Sequence, residues 1–192
     1  METIAIHTPL DSAVIASLKA GDSVLLSGSI LTARDAAHKR LMTLLDKNEP
    51  LPLDLKGQIL YYSGPTPAAP GRVIGSAGPT TSSRMDRYAP TVMRSTGISA
   101  MIGKGNRSAC VVKAMKDCGC IYFAATGGAG ALISTCILSS EIICYEELGP
   151  EAIYKLEVKD LPLIVAIDIY GSNLYQLGPE QYRINYSGID MP

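Results

Sequence analysis

The chain has 192 residues, of which 47% are hydrophobic and 18% charged, and a formal net charge of −1. That length predicts one domain spanning residues 1–192, able to bury well over half of its unfolded surface. The near-zero charge argues against a nucleic-acid partner held by phosphate neutralisation. The longest apolar stretch, Ala129 to Cys144, is broken by Ser134, Ser139, Ser140 and Glu141, which argues against a membrane span.

Thr3 to His7 alternates like a strand, and Ala13 to Leu18 reads as a short helix capped by Asp11 or Ser12. Ser23 to Ile30 is a strong strand. Thr32-Ala33-Arg34-Asp35 resembles a capping box, opening a helix to about Leu45 or Asp46 that Glu49-Pro50-Leu51-Pro52 ends. A strand over Gly57 to Ser63 precedes a Pro- and Gly-rich loop to Gly78. Further on come a helix at Pro90 to Ser95, a strand at Ser99 to Ile102 and a helix at Ser108 to Lys116. Next are a strand at Ile121 to Ala125 and a helix through about Leu138. Strands at Ile142 to Tyr145, Ala152 to Val158 and Leu163 to Ile169 complete the pattern, with a turn at Gly171-Ser172-Asn173. The mix predicts an α/β or layered β/β/α domain.

Cys110, Cys118, Cys120, Cys136 and Cys144 form no even disulfide framework and match no zinc spacing. They read as reduced, mostly buried thiols of a cytoplasmic protein. Met1 to Ile6 shows no secretory leader.

The chemistry concentrates in Gly78-Pro79-Thr80-Thr81-Ser82-Ser83-Arg84-Met85-Asp86. Core packing does not call for four consecutive hydroxyl residues beside an arginine. A small polycarboxylate does, because hydroxyls grip oxygens and a guanidinium matches a carboxylate with two parallel hydrogen bonds. Arg34 stands in the first helical turn, where the dipole already favours an anion, with His38 one turn on. A surface arginine paired locally with Asp35 explains that position equally well. Lys104 lies between Gly103 and Gly105 in a strand-to-helix turn, as a ligand lysine or an ordinary turn lysine would. Neither this turn nor Thr126-Gly127-Gly128-Ala129-Gly130 satisfies a nucleotide-binding pattern. Only His7 and His38 are histidines, and no Gly-x-Ser-x-Gly elbow is present. Cationic and hydroxyl groups without a metal set or strong acid look like half of an active site.

Several blocks together resemble the β subunit of iron–sulfur class I fumarases and L-tartrate dehydratases. They are Ser27-Gly28 with Thr32 to His38, Tyr62 to Pro67, Gly78 to Asp86, Met101 to Gly105, and Ala125 to Ala131. The resemblance implies a swivelling β/β/α domain and a hydro-lyase, most directly one converting fumarate and water to L-malate. It implies a [4Fe–4S] cluster held by a separate α subunit and not by this chain, in a two-plus-two hetero-oligomer. By position, Arg34, Arg84 and Lys104 correspond to residues binding the dicarboxylate, with His38 and Thr81 beside them, and Thr80 to the base for the carbon-bound proton. An L-tartrate dehydratase β subunit and a non-catalytic carboxylate-binding module remain open alternatives.

Overall fold

The computed structural model describes residues 3–186. Met1 and Glu2, part of the reading of the N-terminus, lie outside them. Five strands run parallel side by side: β1 (Ile4–His7), β2 (Ser23–Thr32), β3 (Ile59–Tyr61), β4 (Ala100–Gly103) and β5 (Ile121–Ala124). The long β7 (Ile153–Ile167) runs antiparallel to both β5 and β2, and β6 (Ile137–Cys144) pairs antiparallel with its first half. The pairings β2–β3–β4–β5–β7–β2 therefore close a ring, a small barrel flanked by β1 and β6.

Strand alternation divides the core in two. Ile59, Tyr61, Ala100, Ile102, Ile121 and Phe123 fill the interior with Leu26, Ile30, Leu156 and Val165. Their neighbours Leu60, Met101 and Tyr122 point outward and are covered by helices. These are α2 (Asp35–Asp46), α3 (Ala89–Thr96) and α4 (Ala109–Cys118), which contribute Leu41, Val92, Met93, Val111 and Met115. Both faces of β4 are thus buried, as expected of a parallel strand under crossover helices. Three further helices are α1 (Ser12–Ser17), α5 (Gly130–Ser134) and α6 (Leu174–Tyr186). Asp11 caps α1, its carboxylate accepting from the Ala13 N–H at 2.6 Å.

Four expectations change. The two strands foreseen after Ala152 are one, bent where the register slips between Leu26 and Gly28 and Asp160 takes a left-handed φ of 50°. The helix foreseen through Leu138 ends at Ser134, and Ile137 begins β6, because pairing with β7 supplies partners that no local pattern reveals. The helix α6 was not foreseen. It contains Gly178 and Pro179, and its start is held by the Asn173 side chain, which accepts from the Tyr175 N–H at 3.0 Å. Finally, Cys120 alone of the five free cysteines is buried; Cys110 is exposed and the others are half-buried.

Candidate active site

Because β2, β3, β4 and β5 are parallel, their carboxyl ends share one edge of the barrel, where α/β sheets present their ligand-binding loops. Arg34 follows β2, Ser63 and Gly64 follow β3, Lys104 follows β4, and Thr126 to Gly128 follow β5. The hydroxyl segment is laid across these ends. Thr80 donates its N–H to the Tyr62 carbonyl at 2.7 Å, and Ser82 donates to the Lys104 carbonyl at 2.9 Å. Thr81 and Lys104 pair as an isolated parallel bridge. A 3-10 turn over Ser82–Met85 then carries Arg84 outward. Glycines permit the close approaches. A Cβ on Gly64 would lie 2.8 Å from Arg34 Nη1, and one on Gly103 would collide with the Ser82 hydroxyl.

Arg34 is the N-cap of α2, with extended backbone, and Thr32 does not cap the helix as the local pattern suggested. The buried Thr32 hydroxyl instead joins β2 to β7, donating to the Ala152 carbonyl and accepting from the Tyr154 N–H at 3.0 Å. The cap comes from Glu151, whose Oε2 accepts from the Ala36 N–H at 2.6 Å. Its Oε1 lies 3.1 Å from Arg34 Nη2. Asp35 Oδ2 accepts from Arg34 Nε at 3.2 Å and from Arg84 Nη2 at 2.6 Å. Arg34 and Arg84, 50 positions apart, are thus joined through one carboxylate oxygen. Burial pushes the Asp35 carboxyl upward. Hydrogen bonds from Arg84, the backbone and Arg34, with the Arg84 charge, outweigh that and hold it below the usual carboxylate range. Among the described residues, no carboxylate pairs with Lys104.

His38 lies behind this surface. It is fully buried, stacked on Tyr88 and edge-on to Tyr62 at centroid distances of 5.8 and 5.3 Å. Its Nδ1 is 3.0 Å from the Arg34 carbonyl. A carbonyl can only accept, so Nδ1 carries the proton and the neutral ring has its lone pair on Nε2. Burial, with a smaller push from the Arg107 charge, lowers its pKa to about 4 despite the Arg34 carbonyl bond. His38 therefore sits behind Arg34, against its carbonyl, and not on the exposed edge.

Three further polar residues complete the layer. Arg107, with a fully buried side chain, donates from Nε to Asp86 Oδ1 at 2.7 Å and lies over the Tyr62 and Tyr122 rings. The Ser82 hydroxyl meets the Tyr122 hydroxyl at 2.9 Å and accepts from the Lys104 N–H at 3.1 Å. Tyr122 in turn donates to the Gly105 carbonyl. Its pKa is raised, chiefly by burial, and the hydroxyl stays protonated. Sequence reasoning missed Glu151, Arg107 and Tyr122. No spacing rule links Glu151 to Arg34 across more than a hundred positions.

The cationic edge is an open surface. A groove of about 600 Å³ elsewhere on the described residues is lined by residues such as Thr8, Gly28, Lys56 and Glu157 and touches none of these side chains. Volume is the weaker guide here, since that groove gathers no comparable set of hydrogen-bonding cations. The cysteines do not fit an iron–sulfur cluster. Among the described residues no three His, Cys, Asp or Glu side chains come together as a ligand set. Cys120 is sealed in the core, its thiol pushed up to about 12 mainly by burial.

Residues 1–178 match the family described as fumarase C-terminus. A candidate L(+)-tartrate dehydratase subunit beta of Methanocaldococcus jannaschii is 41% identical over 167 residues, covering 84% of this chain and 86% of that protein. The aerobic class I fumarate hydratase of Escherichia coli is 40% identical over 152 residues, covering 79% of this chain but 28% of the enzyme. Fumarate hydratase 2 of Leishmania major is 37% identical, covering 81% of this chain and again 28% of the enzyme. With the match spanning nearly the whole length and the expected blocks set around one sheet edge, the chain belongs to the fumarase C-terminal family.

Proposed function

We propose that the chain is the β subunit of a hydro-lyase that adds water reversibly across the double bond of a C4 dicarboxylate, fumarate to L-malate being the leading reaction. The carrying observation is the pair of guanidiniums joined through Asp35 beside Lys104 and the Thr80–Thr81 hydroxyls. Arg34 and Arg84 bind the two carboxylates, with Lys104 and Thr81 completing the grip. Removing a proton beside a carboxylate builds negative charge, and fixed cations at Arg84 and Lys104 stabilise it without reorganisation. Thr80 takes that carbon-bound proton as the general base.

A [4Fe–4S] cluster supplies Lewis-acid chemistry in this reading, and we assign it to a cluster-bearing α subunit, since the described residues of this chain gather no ligand set for one. The domain is then a swivelling β/β/α unit closing over the partner's site in a two-plus-two assembly. The chain spans just over a quarter of the fumarate hydratases it matches, which supports a site completed by other polypeptide. We place the protein in the cytoplasm on its five free cysteines; separately, no helix among the described residues is long and apolar enough to cross a membrane.

L-tartrate dehydration is the second reading, favoured by the subunit-length match to the M. jannaschii protein. Assaying the complex on fumarate, L-malate and the tartrate isomers separates the two. The chain purified alone is expected to be colourless and inactive. A stoichiometric cluster in it overturns the division of the site, and a complex inert on every diacid leaves the carboxylate-binding module.

A further inference from the structure

We infer that Asp35 is a positioning residue for carboxylate recognition, orienting the Arg34 and Arg84 guanidiniums through one shared oxygen. The inference rests on the proposed hydro-lyase reading and assigns a role that the carboxylate-binding groups do not include. Arg84 is carried on a short 3-10 turn with its side chain 46% exposed, so its own surroundings hold it loosely. A long side chain in that setting loses rotamer freedom when it grips a ligand. The 2.6 Å contact to Asp35 Oδ2 fixes it beforehand. Arg34 is held by Asp35 on Nε and by Glu151 on Nη2.

Asp35 could instead be an internal competitor, filling a fork that a substrate carboxylate must take. The geometry points to a brace. Asp35 opens α2, and Glu151 ties the same helix start through the Ala36 N–H while holding Arg34. Glu151 cannot step aside without breaking both its Arg34 contact and the helix start, and Asp35 cannot do so without releasing both guanidiniums at once. Three cations set against these two acids leave one net positive charge facing the ligand, so the acids lower the field there. A purely attractive site would omit them, and their retention makes sense as geometry.

The test is a double-mutant cycle in the reconstituted complex, on whichever of L-malate or tartrate it turns over. Asp35→Asn is expected to raise KM about tenfold with kcat within about threefold, whereas in an Arg84→Ala background it raises KM by less than about twofold. A general structural defect would lower both backgrounds alike. A KM that falls or stays level, a loss confined to kcat, or KM effects in the two backgrounds within threefold of each other overturns the inference. Should Asp35→Asn not assemble, Asp35→Glu, which keeps the charge, is put through the same cycle with the same criteria. Near-normal turnover of Arg84→Ala alone removes the assigned role of Arg84 and the inference with it, whereas a complex that turns over no diacid removes the hydro-lyase reading, which separates the two failures.

Discussion

Arg84–Asp35 and Arg107–Asp86 are the same chemical pair in opposite surroundings. The first lies on the open sheet edge, with side chains 46% and 30% exposed; the second is sealed, at 0% and 14%. Arg107 cannot meet a ligand. Its partner Asp86 also accepts the Ser108 N–H at 2.7 Å, so the pair locks the 3-10 turn to the start of α4. A buried ion pair of this kind specifies geometry more than it adds stability, while a partly exposed pair leaves the remaining edge of its guanidinium within reach of a ligand. One layer builds and the other, in the proposed function, binds; matching motifs do not reveal which is which.

Breaking the buried pair should have the largest effect. Asp86→Ala strands the Arg107 charge and is expected to cost about 3–5 kcal/mol of stability in urea unfolding. A loss under 1 kcal/mol would show that water reaches Arg107. Arg84→Ala should leave stability nearly unchanged yet lower kcat/KM of the complex about 10²-fold, equivalent to roughly 3 kcal/mol. A stability loss of that size with intact turnover would invert the comparison.

His38 sharpens it by pH. Its folded pKa of about 4 lies below the ordinary 6.5, so between those values the unfolded chain binds the extra proton. Its contribution to stability is complete above pH 6.5 and is lost as pH falls toward 4, about 2 kcal/mol of it by pH 5. His38→Gln should be flatter over that window, and an unchanged slope would place the acid sensitivity elsewhere. Smallest is Arg94→Ala, since its 3.9 Å contact with Asp117 joins two half-exposed side chains. Thermal melts should show a change within about 0.5 kcal/mol.

Much of this was legible in the chain. Short apolar runs between Gly-, Pro- and polar-rich segments marked β2 to β5, the stretches between them marked α2 to α4, and the clustering of Thr80 to Arg84 marked the chemistry. These are local signals, set by neighbours a few positions apart. Thr32 shows where locality fails: its spacing to Asp35 suggests a cap, but the hydroxyl bonds β7 and the cap arrives from Glu151. His38 shows the same, since its type suggests a ligand contact and the packing of Tyr62 and Tyr88 buries it.

By itself, then, the sequence determined the residue types and the order of strands and helices, because backbone geometry and side-chain periodicity act within a few residues. Only the tertiary structure decided that β7 closes the barrel, that Asp35 joins Arg34 to Arg84, and that Arg107 is mortar where Arg84 is exposed. Those outcomes depend on burial and on contacts across about 20 to 140 positions, where desolvation and pairing, not spacing, determine what a charged group does.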